Sequence, residues 1–169
     1  MAKDDKPLFE SLSGGRIEFF QKWFSDTIPH NKALGTIVTD VRQGAARMRL
    51  DWREDLVGNP ETGVLHGGAI TALLDSCSGM SVATRLTRPQ PFATLDLRID
   101  YVRPATPRQP VFAEAECFRI TRNVAFTRAV AHQGDPKDPI AASAGTFMMA
   151  TKGNAAAPGG GKAARGGGS

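Results

Sequence analysis

Cysteine is scarce in this chain of 169 residues, which holds only Cys77 and Cys117. That number supports neither a disulfide framework nor zinc-ligand spacing, and it fits a reducing cytoplasm. No run approaches the ~20 apolar residues of a membrane-spanning helix. The opening Met1-Ala2-Lys3-Asp4-Asp5-Lys6 has no apolar core behind a basic start, so no secretory signal is expected. His30, His66 and His132 are scattered with no acid cluster near them, which argues against a metal site. No phosphate-cradling glycine loop of the P-loop type is present. Acids are missing after Asp138, and Lys152, Lys162 and Arg165 supply much of the net charge of +4. The basic isoelectric point is therefore largely a property of the tail, and no nucleic-acid partner is expected.

What is present centres on one stretch. From Gly67 to Ala83 the chain reads as a single helix of Ala, Leu, Ile, Val and Met, whose one formal charge is Asp75. A helix that is apolar nearly all round belongs in a core, and a carboxylate placed there costs several kcal/mol or more unless it has partners. Folding alone would not select it. On a helical wheel Asp75 shares a stripe with Thr71, Ser78, Gly79 and Val82, small enough for a substrate or another backbone to approach. The helix opens at Gly67-Gly68, where free N–H groups and the positive end of the dipole favour an oxygen acquiring negative charge. The two features lie about 12 Å apart along the axis, at ~1.5 Å per residue. No single carbonyl reaches both, so cooperation between them requires a homodimer with a shared site.

Around this helix the patterning is that of strands. Ala33–Asp40 and Ala45–Trp52 form an expected hairpin, followed by a loop over Arg53–Leu65 that delivers the chain to the helix. Thr94–Arg103, Val111–Ile120, Val124–His132 and Pro139–Thr151 follow as four further strands. In the first of these, Leu95, Leu97, Ile99 and Tyr101 alternate with Asp96, Arg98 and Asp100. An α+β domain results, with an antiparallel sheet of about six strands wrapped around one long helix. Residues 1–32 are expected to be an N-terminal helical extension, with Pro7–Thr27 amphipathic and broken at Ser13-Gly14-Gly15. Residues 33–152 form the domain, and 153–169 a disordered Gly/Ala-rich tail.

Leu65-His66-Gly67-Gly68, the nine-residue step from His66 to Asp75, and Ala93-Thr94-Leu95-Asp96-Leu97-Arg98-Ile99-Asp100-Tyr101-Val102-Arg103-Pro104-Ala105 together resemble the hotdog-fold acyl-CoA thioesterases of the phenylacetyl-CoA (PaaI-like) type. Gly58-Asn59-Pro60 and Gly145-Thr146-Phe147 add to the likeness, which spans about residues 33–150. The resemblance implies hydrolysis of an acyl-CoA to a carboxylic acid and free coenzyme A, with no cofactor beyond the coenzyme A of the substrate. It implies a homodimer with joined sheets, assembling further as a dimer of dimers, and a site between subunits.

Carried over, Gly67 polarises the thioester carbonyl through its N–H, and the partner's Asp75 acts as general base or nucleophile. Asn59 and His66 position the thioester or the water, and Thr94 orients the water. Asn59 lies one position further from the histidine than in the family spacing. Gly68, Ser78 and Gly79 would border the substrate, and Arg103 and Arg122 are the arginines expected to meet coenzyme A phosphates. Structural roles stand beside these: His66 as a helix cap, Thr94 as an ordinary strand residue, Cys77 as a packed thiol. The N-terminal helix is either an edge-packing element or a lid over the acyl chain. A non-catalytic acyl-CoA-sensing module on the same fold is the alternative function. It would need an inactive base, whereas Asp75 is present. A hotdog hydratase would want an Asp/His pair on a loop, which the chain lacks.

Overall fold

The computed structural model describes Phe9 and residues 15–149. The expected break at Ser13-Gly14 and the tail 153–169 lie outside the described residues. Two short helices, α1 (Arg16–Phe20) and α2 (Pro29–Leu34), flank a π-helical segment, Gln21–Asp26. Strands β1 (Ile37–Arg42) and β2 (Ala45–Leu50) form a hairpin. After a 3-10 turn (Glu54–Leu56), the small ladder β3 (Val57–Asn59) and β4 (Val64–Leu65) leads into α3 (Gly67–Ala83). Strands β5 (Phe92–Tyr101), β6 (Val111–Ile120), β7 (Val124–His132) and β8 (Ala141–Met149) complete the chain. The main sheet has six antiparallel strands in the order β1-β2-β6-β7-β8-β5, wrapped around α3 as in the hotdog thioesterase fold. No helix among the described residues is long and apolar enough to cross a membrane.

The sheet curls onto the helix because the residues it turns inward are small. Ala46, Ala113, Ala115, Ala129, Ala131 and Ala141 are all buried, and they face Ile70, Leu73, Leu74, Cys77 and Met80 from α3. Alanine on one side and large side chains on the other fill the layer at the density of a native core. The thiol of Cys77 rests on the carbonyls of Ala46 and Ala113, each at 3.4 Å. Burial pushes that thiol well above its ordinary range, so it is a packed group.

Both helix ends are tied. His66 Nδ1 accepts a hydrogen bond from the Gly68 N–H at 2.9 Å and so caps the start. At the far end Thr84 Oγ1 donates to the Ser81 carbonyl and accepts from the Gly44 N–H at 2.8 Å. That second bond pins α3 to the β1–β2 turn, where Gly44 sits at φ +78°.

The expected loop over Arg53–Leu65 carries the short β3–β4 ladder, and two of the expected strands differ in detail from the sequence pattern. Ala33 and Leu34 close helix α2 instead of opening a strand, because Pro29 starts that helix and Gly35, left-handed at φ +70°, ends it. The second difference is a β-bulge in β5. Thr94 pairs with Phe147 and Asp96 with Thr146, leaving Leu95 as the extra residue. A bulge shifts the alternation by one. Before it Phe92 and Thr94 face the helix; after it Leu97, Ile99 and Tyr101 do. Leu95, expected on the same face as Leu97, is turned out and 54% exposed.

Candidate active site

The bulge decides where Thr94 points. Its Oγ1 donates a hydrogen bond of 2.8 Å to Asp75 Oδ1, so the one acid of α3 is held by the one hydroxyl that the bulge turns inward. Asp75 is half-buried in the single chain, not enclosed as its apolar helix suggests. The start of β5 covers one side only, and the carboxylate opens into a cleft of about 290 Å³. Phe24, Ile28, Ala72, Gly79, Phe92 and Phe147 make the apolar part of that cleft.

Gly67, eight residues earlier, begins the helix. Its N–H has no acceptor within hydrogen-bonding distance among the described residues, whereas the Gly68 N–H is already given to His66. Of the two glycine donors, only the first is therefore free for a ligand. Tyr101 fixes this corner. Its hydroxyl donates to the Gly67 carbonyl at 2.6 Å and shares a hydrogen bond of 2.8 Å with Thr71 Oγ1. Sequence reading passed over that role, treating Tyr101 only as one member of the alternating face.

His66 is exposed, and its cap defines its chemistry. Because Nδ1 accepts from Gly68, the neutral ring carries its proton on Nε2, which faces away from the cap as a donor. Gly58, noted in the sequence only as part of the Gly58-Asn59-Pro60 likeness, also acts here. A Cβ on it would lie 2.8 Å from His66 Cα, so β3 runs directly against the backbone that launches α3. Its proximity to His66 in sequence, within a loop built to deliver the helix, was the available signal.

Asn59 turns its loop. Its Oδ1 accepts from the Glu61 N–H at 3.0 Å, and its carbonyl accepts from the Thr62 and Gly63 N–H groups. The side-chain NH₂ remains the part that could reach a ligand. Ser78 is fully buried and does not border the Asp75 cleft, while Gly79 does. Arg103 borders a second hollow beside Gly67, and its guanidinium grips Asp138 through Oδ1 and Oδ2 at 3.2 and 3.0 Å. Arg122 stands on the exposed β6–β7 turn with no hydrogen bond or ion pair among the described residues. A larger hollow, about 560 Å³, lies elsewhere, on the outer face of the sheet. Its Arg47–Glu114 and Arg128–Glu116 pairs neutralise each other, and it contains none of the predicted site residues. No set of three or more His, Cys, Asp or Glu groups suited to a metal ion occurs among the described residues.

Comparison with known proteins bears on the family and the fold. Residues 62–140 match the thioesterase superfamily. A medium/long-chain acyl-CoA thioesterase, YigI of Salmonella typhimurium, is 30% identical over 135 residues, covering 72% of this chain and 86% of that protein. Among solved structures, a protein of Pseudomonas aeruginosa superposes with a TM-score of 0.71 at 43% identity, over 78% of this chain and 97% of the other. A mutant of the phenylacetic acid degradation protein PaaI of Thermus thermophilus gives 0.62 at 29% identity, over 71% and 97%.

Proposed function

Because the chain belongs to the thioesterase superfamily and is a thioester hydrolase, we propose that it hydrolyses an acyl-CoA to a carboxylic acid and free coenzyme A, with Asp75 as the group that acts on water or on the carbonyl carbon. The observation that carries this reading is the Thr94–Asp75 hydrogen bond, which points one carboxylate oxygen and leaves the other open to the cleft.

As general base, Asp75 takes a proton from the water that attacks the carbonyl carbon, a step worth roughly a hundredfold or more. The carbonyl oxygen becomes an oxyanion and lies against the Gly67 N–H of the partner subunit, where one preorganised donor is worth about 3–4 kcal/mol. Collapse of the tetrahedral species breaks the C–S bond, and the thiolate leaves with the proton Asp75 received. As nucleophile, Asp75 instead forms an acyl anhydride that water then cleaves. Where water cleaves the anhydride at the aspartyl carbonyl, oxygen-18 from labelled water enters Asp75 during single turnovers, an uptake that general-base catalysis does not produce. His66 Nε2–H and the Asn59 NH₂ serve as donors to the thioester or the water. Coenzyme A belongs to the substrate, and the reaction as written requires no further cofactor.

The shared site follows from length. Gly67 and Asp75 of one helix are about 12 Å apart, so the donor and the acid that meet one carbonyl come from two subunits. Strand β5 supports this assembly: its outer edge is unpaired among the described residues, with Leu95, Tyr101 and Val102 54%, 51% and 64% exposed. A ten-residue strand edge with unpaired backbone groups is normally covered. Pairing β5 with its two-fold mate joins the sheets, and a dimer of dimers is the proposed further assembly. Arg103 and Arg122 are proposed for the coenzyme A phosphates, and the two free thiols fit a cytoplasmic enzyme.

The test is release of free thiol from a panel of acyl-CoAs by the wild type, Asp75→Ala and Asp75→Asn. Turnover that falls at least about a hundredfold in both variants, with the fold intact, supports the reading. Full activity in either variant contradicts it, and tight binding without turnover would make the protein an acyl-CoA-binding module.

A further inference from the structure

Behind Asp75 the cleft is closed by a part of the chain that precedes the sheet. The π-helical segment Gln21–Asp26 turns Phe24 inward until it is 6% exposed. Its ring lies 6.4 Å from that of Phe92, which in turn meets Phe147 edge-to-face at 6.0 Å. Gly79, one turn beyond Asp75, makes room for this trio: a Cβ there would stand 3.3 Å from Phe92 and 3.6 Å from both Phe24 and Phe147. Ile28, 38% exposed, lines the same cleft beside Phe24.

The wall is fastened to the catalytic helix. Asn31, 4% exposed, donates through Nδ2 to the Phe24 carbonyl at 2.9 Å and accepts through Oδ1 from Ser76 Oγ at 2.9 Å. Ser76 is the neighbour of Asp75, so the N-terminal segment and the acid are positioned by the same residue pair. A packed aromatic wall, a glycine that hollows the facing helix and a buried amide clamp are more than an element resting on the domain edge requires.

We propose that the N-terminal segment forms the far wall of the acyl pocket and limits the substrate to a compact apolar acyl group, with Ile28 as the residue that sets its length. This rests on the proposed function. Size gives the class: a cavity of about 150 Å³ accepts benzene, and this cleft holds about 290 Å³. An arylacetyl group or a chain of about six to ten carbons fills such a space, and a palmitoyl chain does not. Each methylene buried against the wall raises kcat/KM about fourfold, until the chain meets Ile28.

The experiment measures kcat/KM for acetyl-, hexanoyl-, octanoyl-, dodecanoyl-, palmitoyl- and phenylacetyl-CoA with the wild type, Ile28→Trp and Ile28→Ala, beside Asp75→Asn. The expected wild-type profile peaks at phenylacetyl or between the hexanoyl and dodecanoyl substrates. Ile28→Trp lowers the octanoyl-to-acetyl ratio about fifteenfold, the equivalent of withdrawing two methylenes. Ile28→Ala raises the dodecanoyl-to-octanoyl ratio about fourfold. Ratios within each variant cancel any general loss of folded enzyme. If Asp75→Asn is inactive but both ratios stay within about twofold of wild type, the inference is overturned and the proposed function stands. A wild type that prefers palmitoyl-CoA overturns the inference alone, and one that turns over no acyl-CoA overturns both.

Discussion

At Gly67 most of what sets the geometry is local, namely the His66 cap, the free N–H and Gly58 pressed against His66, and the Tyr101 hydroxyl on the Gly67 carbonyl is the one contribution from a distant strand. At Asp75 nothing local suffices. The carboxylate is aimed by Thr94, which lies 19 residues away and faces inward only because β5 bulges at Leu95. Its cleft is finished by an N-terminal segment bonded across 45 residues through Asn31 and Ser76. One half of the site is made by a backbone motif, which a short run of residues can specify. The other half is made by tertiary placement. A motif of the first kind transfers between proteins unchanged, while the second kind can vary in shape around a constant acid. The acyl specificity proposed above belongs to that variable half.

The contrast can be broken from either side. Asp75→Asn removes the proposed reacting group and is expected to lower kcat by about a hundredfold or more, read as thiol release from folded protein. Next in size is Thr94→Val, which deletes a hydrogen bond to a charged acceptor worth about 1.5–3 kcal/mol. Activity should fall about tenfold or more while Thr94→Ser retains most of it, since the serine hydroxyl can make the same bond. Deleting Leu95 leaves Thr94 in sequence but returns β5 to simple alternation, and the loss should match that of Thr94→Val. If the deletion is harmless, the bulge is not what aims the threonine.

On the Gly67 side, Gly58→Ala drives a methyl into the His66 backbone, which cannot yield as a flexible side chain would. A stability loss of about 1–3 kcal/mol is expected, measured by urea denaturation, with reduced kcat because the helix start must move. Tyr101→Phe removes bonds to the Gly67 carbonyl and Thr71 and should cost about 1 kcal/mol, a severalfold effect on kcat/KM. The smallest effect belongs to the layer between helix and sheet, where Cys77 of α3 and Cys117 of β6 are buried. Burial holds the Cys77 and Cys117 thiols above their ordinary range, so the unfolded chain ionises first. Their contribution to stability is present below about pH 8.5 and is lost as the pH rises beyond it. Thiol reagents at neutral pH should therefore label the protein only on unfolding and leave native activity unchanged.

Much of this was legible beforehand, for identifiable reasons. Helix α3 and strands β6 and β7 occupy the residues their patterns predict, because a long apolar run free of proline and apolar strand-length runs bounded by turn residues each favour one reading. The His66-Gly67-Gly68 cap and the lone acid at Asp75 are local features and were visible as such. The bulge was not. Leu95, Leu97, Ile99 and Tyr101 make an unbroken alternating series, and nothing in that series marks where the register slips. The assignment of Ala33 and Leu34 to a strand overlooked Pro29 and Gly35, which frame a short helix between them. Tyr101 and the Asn31–Ser76 clamp depend on chain segments that meet only in three dimensions.

The central claim, that one site draws its acid and its oxyanion donor from two subunits, has a direct test. Gly67→Pro deletes the N–H at a first helical position where proline is tolerated, and Asp75→Asn deletes the acid. Each homodimer should be inactive. Mixed dimers place both defects in one site and leave the other intact, so subunits of the two variants refolded together in equal amounts should recover about a quarter of wild-type thiol release per site. A mixture no more active than its parents, with mixed dimers demonstrably formed, would place donor and acid within one chain and contradict the account.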